Sequence, residues 1–436
     1  MISRLTLSTV LLIAVFVYNL AAVPAGFVSV KGHVLYRNKA AYSFVGANYW
    51  YGGLLGLEKD KNRGVLRLRR ELDFLKANGV MNLRLLAGAE GSGVMNGVTR
   101  VGPPLQPLPG EFDEKVLDGL DLVLFEMGKR NMTAVIFLSN NWEWSGGFQQ
   151  YLIWNGMIPD EWLTKKPSWD ELRDLTAQFY SCQVCKDGYN RQVRFILSRK
   201  NKYSGKKYTD DTAIMAWELA NEPRPMRPAA NDAYRRWIAD SAAMIKAHDK
   251  NHMVTIGHEG WIGTQDIAIY EAINADTNID YMTIHIWPKN WGWFTDGKMA
   301  DGFTNIERET EKYIGENLGV AVKLNKPLVI EEFGLPRDGQ SFDPAASTSY
   351  RDDYYKKVLS FIGNQTDGNA YIGGANFWAF GGTARPKKGQ IFWKDGDDLM
   401  GDPPMEEQGL NSVFDADKST WRIIRSAGTA VARYKR

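Results

Sequence analysis

Ile214-Met215-Ala216-Trp217-Glu218-Leu219-Ala220-Asn221, running on into Glu222-Pro223-Arg224, starts as a short apolar run and ends in polar and charged residues. Apolar on both faces, it reads as a strand covered on both sides. Asp232 to Asp249 follows with apolar residues at helical spacing, and His252 to His258 returns to a strand. Strand, helix and strand in that order form a parallel crossover unit, with the helix on the outside of the sheet.

Outward from this unit the same cycle can be counted eight times. The remaining strands are expected at Tyr42 to Trp50, Met81 to Leu86, Met132 to Ser139, Ile279 to Trp287, Leu328 to Phe333 and Ile372 to Phe380. The other helices are expected at Val65 to Ala77, Phe112 to Arg130, Trp169 to Ser198, Asp266 to Asn274, Ile306 to Leu324, Tyr350 to Ile362 and Thr420 to Arg433. Asp113 and Ser168 stand near helix starts, where a side-chain oxygen accepts an orphan backbone N–H. Eight such units close most simply into an α/β fold, a single (β/α)8 TIM barrel with long βα loops, and a doubly wound open sheet is the alternative. No Pro-, Gly- or Ser-rich linker divides the chain, so residues 26–436 are expected to form one domain.

The 436 residues are 44% hydrophobic and 24% charged, with a formal net charge of +2, which excludes a disordered chain and gives no pointer to nucleic acid. Arg4, the apolar run Leu5 to Ala22 and the small residues up to Ala25 read as a signal peptide over residues 1–25, with cleavage after Ala22 or Ala25. The competing reading is an uncleaved membrane anchor. The two cysteines, Cys182 and Cys185, suit a local disulfide in an exported protein better than a redox pair, and no neighbouring ligands complete a zinc site. Gly91, Gly93 and Gly97 have the wrong spacing for a dinucleotide loop. The Lys206-Lys207 pair is a solvated face.

A barrel builds its site at the C-terminal ends of its strands. Those ends carry Arg84, Asn140-Asn141-Trp142, Asn221-Glu222-Pro223-Arg224, His258-Glu259, His285-Ile286-Trp287, Glu331-Glu332 and Trp378. Two histidines are too few for a metal cluster, His33, His248 and His252 read as surface or turn residues, and no nucleophile elbow supports a Ser-His-Asp triad. Glutamates three strands apart can face one another across a sugar, one protonating the departing oxygen and the other attacking the anomeric carbon. Side-chain alternation does not choose between Glu331 and Glu332. Of the 15 tryptophans, Trp50, Trp142, Trp144, Trp287, Trp291 and Trp378 cluster at or just beyond strand ends, where flat rings can cover the C–H faces of sugars. Trp217, Trp237 and Trp421 read as core.

The stretches Trp217 to Arg224 and Val329-Ile330-Glu331-Glu332-Phe333-Gly334 resemble the family-five glycoside hydrolases, in particular their endo-β-1,4-mannanase branch, from about Phe27 to the C-terminus. Gly46 to Gly52, with Trp50, Asn140-Asn141-Trp142 and Thr283 to Trp287 also look like that branch. The resemblance implies that Glu222 is the acid/base and Glu332 the nucleophile. It implies further that Asn221 meets the sugar 2-hydroxyl, that Arg84 and His285 surround the nucleophile, and that Trp378 underlies the reacting sugar. Arg224 and Trp142 would contact the leaving group, and Glu259 would be a further polar residue of the cleft. Trp50 and Asn141 are expected to touch substrate. Trp287 stands where many members place a tyrosine that hydrogen-bonds the nucleophile.

These readings lead to an expected secreted, retaining endo-β-1,4-mannanase acting on β-mannan polysaccharide or oligosaccharide. It is expected to need no cofactor or metal, to bind no nucleic acid, to be free of the membrane after signal removal and to act as a monomer. The alternatives are a cellulase, an exo-β-mannosidase, a transglycosylase and a non-catalytic carbohydrate-binding protein.

Overall fold

Residues 26–433, except 160, 161, 163, 166 and 363–370, are described by a computed structural model. The signal peptide expected over residues 1–25 lies outside the described residues. Eight strands, each buried along nearly its whole length, run parallel: β1 Phe44–Asn48, β2 Val80–Leu86, β3 Thr133–Phe137, β4 Ile214–Glu218, β5 Met253–Thr255, β6 Met282–Ile286, β7 Leu328–Phe333 and β8 Ile372–Phe377. Sheet pairing runs β5-β4-β3-β2-β1-β8-β7-β6, and the seam between β5 and β6 is stitched by Asp280 N–H to Val254 O at 2.8 Å, His285 N–H to Glu259 O at 2.8 Å and Thr283 Oγ1 to His258 O at 2.8 Å. The (β/α)8 barrel expected from the repeat is therefore the observed architecture. Several strands end earlier than expected, because residues such as Tyr49, Trp50 and Leu219 to Asn221 leave the ladder and turn into the loops above it.

The outer helices are α1 Lys61–Ala77, α2 Glu114–Lys129, α3 Gln183–Leu197, α4 Asn231–His248, α5 Ile267–Asn274, α6 Met299–Leu324, α7 Ser349–Leu359 and α8 Lys418–Arg433. Asp113 caps α2 by accepting the Lys115 N–H at 3.0 Å, and Asp60 and Asp266 do the same for α1 and α5. The single helix expected from Trp169 to Ser198 is broken. Helix Trp169–Thr176, with a Ser168/Glu171 capping box, passes through a 3-10 turn to Cys182, whose extended backbone (φ −81°, ψ 97°) starts α3 afresh. Cys182 and Cys185 are joined there as a disulfide.

A small antiparallel sheet of Val28–Lys31, Val34–Arg37 and Ala40–Ala41 had no counterpart in the sequence reading. Its Val28 and Leu35 pack with Phe44, Met215, Met253 and Val329, which stand at or near the starts of barrel strands, so it closes the end of the barrel opposite the long loops. His252, expected at the surface, is buried at the start of β5, with Nδ1 at 2.6 Å from Asp249 and Nε2 at 3.0 Å from the Asp211 carbonyl. Trp217, Trp237 and Trp421 are core residues.

Candidate active site

At the C-terminal ends of the strands, the loops enclose a cavity of about 490 Å³. Asn221, Glu222, Arg224, Glu259, Trp142, Trp287, Glu332 and Trp378, all expected at the site, line it. Glu222 leaves β4 with φ +50°, held by its own N–H to the Gly257 carbonyl at 2.9 Å. A non-glycine residue in the left-handed region costs on the order of 1 kcal/mol, a cost the surrounding bonds must offset to aim the side chain inward. Gly257, at φ +82°, has a matching constraint: a Cβ there would stand 2.1 Å from Glu218 Oε1.

Glu332 arrives from the opposite wall. Pairing between β6 and β7 shifts at Ile284/His285, so Ile284 faces Ile330 while His285 faces Glu332, and Glu331 is the extra residue of a bulge. Bulges re-aim side chains. Both Glu331 and Glu332 consequently approach Arg84, the former at 3.8 Å and the latter in a direct hydrogen-bonded ion pair with Nη1. Arg84 itself has no solvent exposure and binds Glu218 through Nε at 2.8 Å and Nη2 at 2.6 Å, together with the side-chain oxygens of Asn48 and Asn221. One guanidinium thus holds three carboxylates at the cavity floor. Glu218 is the member of this set that sequence reasoning missed, being hidden inside an apolar run.

The two glutamates meet across the cavity. One oxygen of each and a ring nitrogen of His285 lie within 4.8 Å of one another. Glu222 accepts from the Trp142 indole N–H at 2.6 Å and contacts His285 Nδ1 at 2.7 Å. Glu332 accepts from the Trp287 indole N–H at 3.1 Å, so Trp287 supplies a hydrogen-bond donor to this carboxylate. These donors and Arg84 already address the carboxylate oxygens, which makes the Glu222/His285/Glu332 cluster a poor cation site, with N–H groups pointing where an ion would bond.

Burial pushes both carboxyls up from the ordinary glutamate range, Arg224 pulling Glu222 back and Arg84 pulling Glu332 back. Interacting acids this close release their protons in two separate steps. Arg84 hydrogen-bonds Glu332 and not Glu222, so this cation favours ionised Glu332 more strongly than ionised Glu222. Burial lowers His285 to about 4 and His258 to about 3, leaving both imidazoles neutral around neutral pH. On the far side of Glu222, Arg224 forms a two-pronged ion pair with Glu259 and lies 5.0 Å from the centroid of the Trp142 ring.

Residues 25–436 match the profile described as GH family 5 beta-mannosidase-like. The chain belongs to that family of glycoside hydrolases. Among curated members, the rice "Mannan endo-1,4-beta-mannosidase 1" is 30% identical over 373 residues, covering 81% of this chain and 78% of that protein. The Arabidopsis thaliana "Mannan endo-1,4-beta-mannosidase 1" is 30% identical over 289 residues, and the chain spans 65% of its length. The family 5 mannosidase of Rhizomucor miehei superposes with a TM-score of 0.84 at 31% identity, over 94% of this chain and 98% of that one. A point mutant of the Rhizomucor enzyme was solved in complex with mannosyl-fructose.

Four of the expected family 5 site residues do not line the cavity. Arg84 and His285 lie fully buried beneath it, acting through the two glutamates rather than on a sugar. Asn141 is buried too, its amide having no hydrogen-bond partner among the described residues while its backbone N–H bonds the Asn221 carbonyl at 2.9 Å. Trp50, expected as a sugar platform, is a wall residue: its indole donates to the Gly401 carbonyl at 2.8 Å and its ring packs edge-on against Trp144 at 5.8 Å. The sequence reading passed over Trp169, Ile262, Gln265, Asn290, Glu406 and Asn411, which with Trp144 and Trp291 complete the lining. They lie in loops or at a helix start, where no periodicity marks them.

Proposed function

We propose that this protein is a secreted, retaining hydrolase of β-1,4-mannosidic bonds in mannan, glucomannan or galactomannan. The observation that carries the mechanism is the 4.8 Å limit on the cluster joining Glu222 and Glu332, which suits direct attack on the sugar better than the wider spacing needed to seat a water between the carboxyls. Glu332, ionised by Arg84, attacks the anomeric carbon while Glu222 gives its proton to the departing oxygen. Glu222 then takes a proton from the water that cleaves the glycosyl-enzyme ester, and both residues return to their starting states. Family membership and the names of the plant relatives support mannan as substrate. The leader-like first 25 residues support export.

Cleavage within chains is the reading those relatives support. Cleavage at chain ends is supported by the loop after β8, which brings Glu406 and Asn411 into the cavity lining and is tied to Trp50 through the Gly401 carbonyl. Incubation with galactomannan and with reducing-end-labelled mannohexaose tests both. Release of reducing ends supports the hydrolase, and absence of any new reducing end contradicts it. A rapid fall in viscosity marks internal cleavage, and free mannose with slow viscosity loss marks chain-end cleavage.

A further inference from the structure

The loop that follows β8 carries a half-buried carboxyl, Glu406, into the lining of the cavity. Among the described residues its side chain has no hydrogen-bond or ion-pair partner, and the charged neighbours that act on it are all acidic: Asp402, Glu222, Glu143 and Glu407. An acceptor with no protein donor, turned into a binding cavity, is costly to desolvate unless a ligand supplies the donors.

The loop holding it is rigid. Asp402 accepts from Gly409, Asn411 and Ser412 N–H and from Ser412 Oγ, and the Gln408 amide spans the carbonyls of Asp402, Pro403 and Glu406. It is also tied to both flanks of the barrel mouth, by Trp50 to Gly401 at 2.8 Å on one side and by Lys289 to Glu407 at 3.1 Å on the other. Trp142, Arg224 and Glu259 stand on the loops after β3, β4 and β5, across the barrel from the loop after β8, and Trp142 bonds Glu222, which gives its proton to the departing oxygen in the proposed reaction. The end near Glu406 is then the end that holds the non-reducing side of the chain, where the tied loop brings Glu406 and Asn411 into the lining.

We infer that Glu406 is a specificity-determining residue that accepts hydrogen bonds from the free 4-hydroxyl and a neighbouring hydroxyl of a terminal mannosyl unit, so that the site reads chain ends. In a β-1,4 chain only the non-reducing terminal sugar has that hydroxyl free. An internal unit carries a glycosidic oxygen there, which cannot donate. A site built to bond a hydroxyl discriminates strongly against a substrate lacking it, because its own polar group is left unpaired.

The inference rests on the proposed β-mannosidic activity, and the test separates the two. An aryl β-mannoside and its 4-deoxy analogue are assayed with wild type and with Glu406→Ala. In wild type the 4-deoxy substrate is expected to lose at least about 10²-fold in kcat/KM. In Glu406→Ala the parent substrate loses a similar factor, and the further penalty for removing the 4-hydroxyl shrinks to less than about fivefold, the coupling expected of two groups in contact. A wild-type enzyme indifferent to the missing hydroxyl, or an equal penalty in both proteins, overturns the role of Glu406 while leaving the hydrolase reading intact. Failure of wild type to cleave any β-mannoside overturns both. A folded variant is verified by an unchanged circular dichroism spectrum and melting temperature, and Glu406→Gln, which keeps shape and an acceptor oxygen, is expected to fall between the two.

Discussion

The end of β4 and the end of β7 each deliver a buried glutamate to the same cavity, and their surroundings differ in one respect that matters. Glu332 touches a guanidinium, whereas Glu222 meets the Trp142 indole N–H and an imidazole that burial keeps neutral. Of two like acids in one pocket, one has a cation in hydrogen-bond contact, while Arg224 acts on the other without a direct bond. A cation stabilises the ionised form strongly and a neutral donor only modestly, so in the proposed mechanism the wall that holds Arg84 sets which carboxyl attacks and which gives the proton.

Substitutions test that contrast from its strongest consequence downward. Glu332→Ala removes the attacking atom, and reducing-sugar assays on mannan should show a loss on the order of 10⁴-fold or more with the melting temperature little changed. Glu222→Gln should cost on the order of 10²–10⁴-fold on unactivated polysaccharide. It should cost far less in the first turnover of a dinitrophenyl mannoside, whose leaving group needs no proton, and stopped-flow release of the phenol measures this. If the two variants behaved alike on the activated substrate, the division of roles would fail.

Arg84→Met strands Glu218, Glu331 and Glu332 together without their cation. Removing one partner of a buried pair costs about 3–5 kcal/mol, so urea unfolding should show a loss of that order along with near-complete loss of activity. The pH profile is a finer probe. Since burial raises both acids, kcat/KM should rise with pH as the pair loses its first proton from Glu332 and fall as Glu222 loses the second, both limbs displaced upward from ordinary carboxylates. The smallest effect is expected from Trp142→Phe. Its indole N–H favours the ionised form of Glu222, so its loss should move the alkaline limb to higher pH while leaving the acid limb in place.

The barrel was legible because eight apolar runs alternate with amphipathic segments, and burial on both faces leaves few other ways to hide such strands. The pair Glu222 and Glu332 was legible from motif resemblance rather than from alternation, and the bulge at Glu331 explains why: it turns two successive carboxyls toward the same guanidinium. Trp50 was misjudged because a tryptophan at a strand end either lines the cavity or backs it. Here the deciding contact is the Gly401 carbonyl, 351 residues away in sequence. Glu406 and Gln265 escaped notice for a related reason, since loop residues acquire their surroundings from segments that no local pattern connects to them. The break at Cys182 was invisible to periodicity, because the helices on either side keep the same apolar spacing across it.

Covalent capture tests the division of roles most directly. Incubation with a 2-deoxy-2-fluoro-β-mannosyl fluoride, which forms the glycosyl-enzyme faster than water removes it, followed by proteolysis and mass spectrometry, should place one fluoromannosyl adduct on the Glu332 carboxylate. An adduct on Glu222 or Glu331, or time-dependent turnover with no adduct at all, would contradict it.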